Sequence, residues 1–177
     1  MRSQPRQPST PDTAADTTFV RKTAGLAFER DEWELIVTLP RRVLIAAVAA
    51  APTDGQAAAE GIAGIEAIAS GLASPSPLVR EVVASIYAES HAAFEDEPVG
   101  STDGTLVQTL AACRYAAEIL SQRTAPEDAE AYRTWIQHIA AVVTGVAQGA
   151  AGEVSAPGRV GLADSRFLYA LGGVMRA

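Results

Sequence analysis

Residues 124–146 read TAPEDAEAYRTWIQHIAAVVTGV, and they carry the clearest helical pattern of the sequence. Its large apolar residues recur every three or four positions, which is the spacing of one face of an α-helix. They are Tyr132, Trp135, Ile136, Ile139, Val142, Val143 and Val146. The acidic Glu127 and Asp128 near its start suit the positive end of a helix dipole. We therefore predict an amphipathic helix that buries this one face against the rest of the chain.

Outward from this stretch, five further segments show the same helical spacing. They begin near Asp31, Gln56, Pro77, Ser101 or Thr102, and Ala163 or Asp164. Six amphipathic segments joined by short loops predict an all-α fold, a single-domain bundle of five to seven helices over residues 28–177.

Proline and glycine mark the weak points of these predicted helices. Pro40 lacks an N–H and its ring crowds the preceding turn, so we expect it to kink the first helix or to start a new one at Arg41. Gly172 and Gly173 make the end of the last helix doubtful, because glycine costs a helix interior about 1 kcal/mol relative to alanine.

The second predicted helix, from about Gln56 to Ser70, combines isoleucines with internal glycines. We expect its buried face to carry Ile62, Ile65, Ile68 and Ala69. Gly61 and Gly64 destabilise the isolated helix, and glycines in such positions usually indicate that a neighbouring helix packs closely.

The first 27 residues differ in composition from the bundle. They begin MRSQPRQPSTPDT, which offers little to bury, so residues 1–27 are predicted to form a disordered or loosely docked tail. The tail has no apolar core typical of a signal peptide, and no apolar run in the chain approaches the roughly 20 residues of a membrane span. We expect a cytoplasmic protein with no membrane insertion.

Charge and cysteine content exclude several classes of function. The formal net charge of the 177-residue chain is -7, which argues against nucleic-acid binding. Cys113 is the only cysteine, so a disulfide within the chain and a cysteine-based zinc site are both excluded. Because free cysteine is usually buried, we predict that Cys113 is a small core residue.

Catalytic patterns are scarce in this sequence. It has no phosphate-binding glycine loop, and alanine and tryptophan stand three residues before His91 and His138, where the Glu-x-x-His pattern of di-iron bundles requires glutamate. One enzymatic alternative stays open, in which His138 acts with an acid from another helix. A second alternative is a small-ligand pocket lined by aromatic residues, unless these are ordinary core. The pocket residues would be Trp33, Tyr87, Tyr132 and Trp135.

One pair of carboxylates is a candidate metal site. Asp54 lies in the turn Thr53-Asp54-Gly55, and Glu60 follows in the first part of the second helix. Carboxylate oxygens are the ligands that Ca²⁺ and Mg²⁺ prefer, so Asp54 and Glu60 could recruit a divalent cation, and no other cofactor is predicted. The alternative is that Asp54 and Gly55 serve only the turn.

The same turn carries a family resemblance. The apolar run Val43–Ala49, followed by Thr53-Asp54-Gly55 and Glu60, resembles the first half of TerB-like tellurite-resistance proteins. A looser second match is Ile139–Val143 followed by Gly152–Ser155, and together the two cover about half of the chain. The resemblance implies a small bacterial helical bundle that acts in stress as a binding or scaffold protein, and it carries over only Asp54 and Glu60.

Taken together, these patterns favour a non-enzymatic helical bundle. We expect it to act by binding a protein partner or by forming a homo-oligomer, with the cation site as an additional feature. The aromatic pocket and the enzyme using His138 stay open as alternatives.

Overall fold

The computed structural model of the chain describes residues 21–23, 26–50, 57–89, 102–145 and 162–175. Within these residues it contains six helices, which confirms the predicted all-α fold. The helices are α1 (Arg30–Ala50), α2 (Ala57–Ser70), α3 (Pro77–Glu89), α4 (Thr102–Arg123), α5 (Pro126–Val143) and α6 (Leu162–Val174). A short 3-10 turn, Gly71–Ala73, directly follows α2.

A small hairpin precedes the first helix. Its strands β1 (Arg21–Thr23) and β2 (Leu26–Phe28) pair antiparallel, with Arg21 opposite Phe28. The sequence shows no period-two pattern here, because three-residue strands are too short to establish one. Most of the hairpin falls within residues 1–27, the predicted tail, of which residues 1–20 and 24–25 lie outside the described residues.

Two helices form the centre of the bundle. α1 and α5 pack against each other, and each also contacts α2, α3, α4 and α6. Five residues of the stripe predicted for α5 are buried, Val142 is half-buried and Val146 lies outside the described residues; the buried ones are Tyr132, Trp135, Ile136, Ile139 and Val143. The largest fully buried side chains include Tyr132, Ile136 and Ile139 from α5, Ile36, Leu39 and Val43 from α1, and Leu78, Leu120, Phe167 and Leu171 from the other helices.

Pro40 does not start a new helix at Arg41, because α1 continues through it as a single element. Proline removes the N–H that would otherwise bond to the carbonyl four residues earlier, which is that of Ile36. The buried hydroxyl of Tyr132 in α5 donates a hydrogen bond of 2.8 Å to this same carbonyl oxygen. A side chain from a neighbouring helix therefore replaces the missing donor and keeps the proline acceptable inside α1.

The other helix ends follow their local chemistry more closely. Ser76 and Pro77 open α3 as a cap followed by proline, as predicted, and the Ser76 hydroxyl accepts a hydrogen bond from the Val79 N–H. The same hydroxyl donates to the Asp128 carboxylate, which ties the starts of α3 and α5 together. α6 continues through Gly172 and Gly173 to Val174, so the doubt about its end is not supported.

Candidate partner-binding face

The side of α2 that packs into the bundle is built from small residues. A Cβ atom added to Gly64 would overlap the Leu44 side chain and lie 2.9 Å from Cγ2 of Val143. One added to Gly71 would lie 2.8 Å from both Cε2 of Trp135 and Cγ2 of Val83. Gly64 thus packs closely, as expected, whereas a Cβ at Gly61 would meet nothing within 4 Å. We define the core face of α2 as Gly64, Ala67, Ile68 and Gly71.

The predicted buried face of α2 is therefore wrong in part. Ile68 is buried, but Ile62 and Ile65 are 61% and 56% exposed. Hydrophobic periodicity misplaced them because Gly64 and Gly71 contribute almost no apolar side chain, so the pattern follows the isoleucines instead. The signal that could have found the core face is the recurrence of small residues at positions 64, 67 and 71, a helical spacing.

The exposed isoleucines belong to a second apolar stripe. Together with the half-buried Ala69 and with Leu72, which is 52% exposed, they follow one another at intervals of three, four and three residues. Since successive residues of an α-helix turn by about 100°, Ile62, Ile65 and Ala69 fall within about 60° of one another on the side of α2 opposite Gly64 and Ala67, and Leu72 follows them in the 3-10 turn. We define the outer face of α2 as Ile62, Ile65, Ala69 and Leu72.

The charges along this outer face are acidic. Glu66 is exposed and follows Ile62 by four residues, which places the two side by side on the helix surface. Residues 57–73 contain Glu60 and Glu66 but no lysine, arginine or histidine. Beyond the 3-10 turn, Arg80 of α3 donates hydrogen bonds to the carbonyl oxygens of Ser74 and Pro75. The outer face is thus apolar with one carboxylate beside its middle.

The predicted pocket aromatics take two different positions. Trp33, Tyr132 and Trp135 are buried in the common core, where the Tyr132 and Trp135 rings meet edge to face at 5.8 Å and Trp33 packs against Phe28. The Trp135 indole N–H donates to the Ala67 carbonyl oxygen at 3.2 Å, near the end of α2, and the same oxygen also accepts a hydrogen bond from the Ser70 hydroxyl. Tyr87, by contrast, is 44% exposed near the end of α3.

The predicted polar sites are only partly covered by the structure. Asp54 lies outside the described residues, and Glu60 is half-buried in the first turn of α2 with a buried Oε2 that accepts no hydrogen bond from any described residue. His138 is exposed on α5, with no carboxylate of the described chain within ion-pair distance. Across the described ranges, no three His, Cys, Asp or Glu side chains cluster in a way that could hold a metal ion.

Cys113 is buried in the core as predicted, beside the central helices. Burial penalises the charged thiolate and raises the pKa of its thiol from 9.0 to about 12. A thiol with such a pKa stays protonated near neutral pH, so Cys113 is not activated as a nucleophile.

Comparison with known proteins finds no matching family model, curated protein or solved structure. The resemblance to TerB-like proteins therefore stays a prediction. No helix in the described part of the chain is both long and apolar enough to cross a membrane.

Proposed function

We propose that this chain is a non-enzymatic binding protein that docks a helix of a protein partner on the outer face of α2. The observation that carries the proposal is the exposure of Ile62, Ile65 and Leu72 along one stripe. Single exposed apolar residues are ordinary on protein surfaces, but a contiguous apolar stripe is typical of an interaction site.

The spacing of the stripe indicates the shape of the partner. Apolar residues at alternating intervals of three and four form the seam along which one helix packs on another. The outer face has this spacing over about 15 Å, the length of ten residues of helix. A helix laid along α2 could therefore cover it by packing its own apolar side chains between these large residues.

The test of this proposal is site-specific photocrosslinking followed by reconstitution. A photoreactive amino acid at position 65 is expected to crosslink one protein in native cells, and the same amino acid at the exposed Tyr169 of α6 is the control position. The crosslinked protein is then purified and its affinity for the chain is measured directly.

Two matched variants decide the outcome. The outer-face variant changes Ile62, Ile65 and Leu72 to Gln, and the control variant makes the same change at three residues that are at least as exposed, namely Val107, Tyr115 and Tyr169. We expect the outer-face variant to bind at least about ten-fold more weakly, because truncating central apolar contacts costs more than about 1 kcal/mol each. Equal affinities for the two variants, with both folded by circular dichroism, would overturn the proposal.

As a second part of the proposal, Asp54 and Glu60 form a weak divalent-cation site. Oε2 of Glu60 supports it, because this buried oxygen accepts no hydrogen bond within the described ranges and has lone pairs to offer. Thermal melts of chelator-treated protein with and without Ca²⁺, Mg²⁺ or Mn²⁺ test it. An ion at a hundred times its Kd adds about 2.7 kcal/mol of stability, and Glu60→Gln should abolish this gain. The absence of any shift in wild-type protein would contradict the site.

A further inference from the structure

The chemistry of the partner can be inferred from the charges beside the stripe. Glu66 is exposed next to Ile62 and directly follows Ile65, and residues 57–73 carry no positive charge to compensate it. A helix packed on the outer face would place the residues that flank its own apolar seam opposite this carboxylate, as flanking residues do in paired helices. A lysine or arginine there gains a charge pair, whereas an acidic residue is repelled.

A second copy of this chain fits the outer face poorly. The midpoint between Ile62 and Leu72 lies at Ala67, one residue from Glu66, so two stripes centred on each other bring their two Glu66 carboxylates to nearly the same level.

The net charge of the whole chain also favours a basic partner. A net charge of -7 attracts a cationic partner over several ångströms and repels an acidic one, which affects the rate of encounter as well as the final contact.

We propose that the occupant of the outer face is a basic amphipathic helix of another protein, with Glu66 selecting for positive charge beside its apolar stripe. This inference rests on the function proposed above. It adds that the affinity depends on the sign of the partner's flanking charges and on residue 66.

Two synthetic helical peptides test the inference on the full chain. Both carry leucines at intervals of three, four and three residues, and they differ only in flanking positions, which are lysine in the basic peptide and glutamate in the acidic one. Fluorescence anisotropy of labelled peptide measures Kd at low and at high salt. We expect the basic peptide to bind about five-fold or more tightly than the acidic one, with a difference that shrinks as salt is added.

A charge reversal at residue 66 distinguishes the contribution of charge to peptide affinity from the contribution of apolar packing. Glu66→Lys should abolish most of the preference for the basic peptide, and Ile65→Gln should weaken the binding of both peptides. The same charge reversal at Glu118 of α4, which is exposed on another helix, is the matched control and should leave the preference unchanged. Equal affinities for the two peptides, or an unchanged preference in Glu66→Lys, would overturn the inference.

Other occupants give different results. A wild-type dimer in sedimentation that Ile65→Gln dissolves would show that a second copy occupies the face, and it would overturn the inference. If the crosslinked natural partner binds through a helix without basic flanking residues, the proposed function survives and the inference fails. If neither peptide binds and position 65 crosslinks no protein, both fail together.

Discussion

α2 and α5 lie side by side in opposite directions, since Gly64 packs near Val143 and Gly71 packs on Trp135. α5 has one apolar face, which is buried, and its two largest side chains also supply hydrogen bonds to α1 and α2. α2 has two apolar faces, one toward the core where glycine and alanine flank Ile68, and one toward solvent that carries Ile62 and Ile65. The size of an apolar residue therefore does not identify the core face of a helix when glycine allows a close approach.

The comparison is tested most strongly by truncating one isoleucine on each face of α2. Ile68→Ala removes buried atoms and should lower the free energy of unfolding by about 2–4 kcal/mol, as such core truncations do. Ile65→Ala removes atoms that are largely exposed and should change it by no more than about 0.5 kcal/mol. Urea unfolding of both variants measures the difference, and similar losses would show that Ile65 is a core residue after all.

The next largest effect concerns the glycines of the same segment. Gly71→Ala forces a methyl group against the rigid Trp135 ring and should destabilise the fold by about 1–3 kcal/mol. Gly61→Ala is the matched control, because its Cβ meets open space and the helix gains about 1 kcal/mol of propensity. Thermal unfolding should thus move in opposite directions for the two variants. A stabilised Gly71→Ala protein would contradict the close packing of α2 on α5.

Alkaline pH should act on the core around α5 and not on the outer face of α2. The folded state raises the pKa of Cys113 from 9.0 to about 12, and burial raises the pKa of Tyr132 well above its usual 10. The stability that depends on the protonated thiol and phenol is complete below the pKa values of the unfolded groups. It is lost as pH rises from these values towards the higher pKa values of the folded state, because the unfolded groups release their protons first. Between pH 9 and 10 the loss due to Cys113 should reach about 1 kcal/mol.

The measurement is urea unfolding at pH 8 and pH 10 for wild type and two variants. Cys113→Ala should lose some stability at both pH values but show a smaller decline between them. Ile65→Gln, on the outer face, should decline as the wild type does. A decline that Cys113→Ala leaves unchanged would place the alkaline sensitivity elsewhere in the chain.

Sequence patterns predicted the parts of the fold that depend on local chemistry. The α5 stripe, the Ser76 cap and the all-α class follow from spacing and helix-end preferences within single segments. The core face of α2 and the continuity of α1 through Pro40 could not be predicted in this way. Both depend on contacts between distant segments, namely Gly71 with Trp135 and Ile36 with Tyr132.

The outer face could not be predicted from the sequence. The isoleucine spacing predicts one buried face that carries Ile62, Ile65, Ile68 and Ala69, and which of these residues meet another helix depends on where α1 and α5 approach α2. The two leave the outer face uncovered because they contact the glycine side. Asp54 lies outside the described residues, so its pairing with Glu60 stays a prediction.

The smallest expected effect concerns the hydrogen bond from α5 to the α1 carbonyl that Pro40 leaves without a backbone donor. Tyr132→Phe removes only the hydroxyl that donates to the Ile36 carbonyl. It should lower the free energy of unfolding by about 0.5–1.5 kcal/mol. In a Pro40→Ala background, the new N–H at position 40 can bond to that carbonyl as in any α-helix. The cost of Tyr132→Phe should then fall by at least about 0.5 kcal/mol, a coupling that a double-mutant cycle in urea resolves. An equal cost in both backgrounds would mean that the tyrosine hydroxyl does not replace the donor that Pro40 lacks, and that α1 tolerates its proline through packing alone.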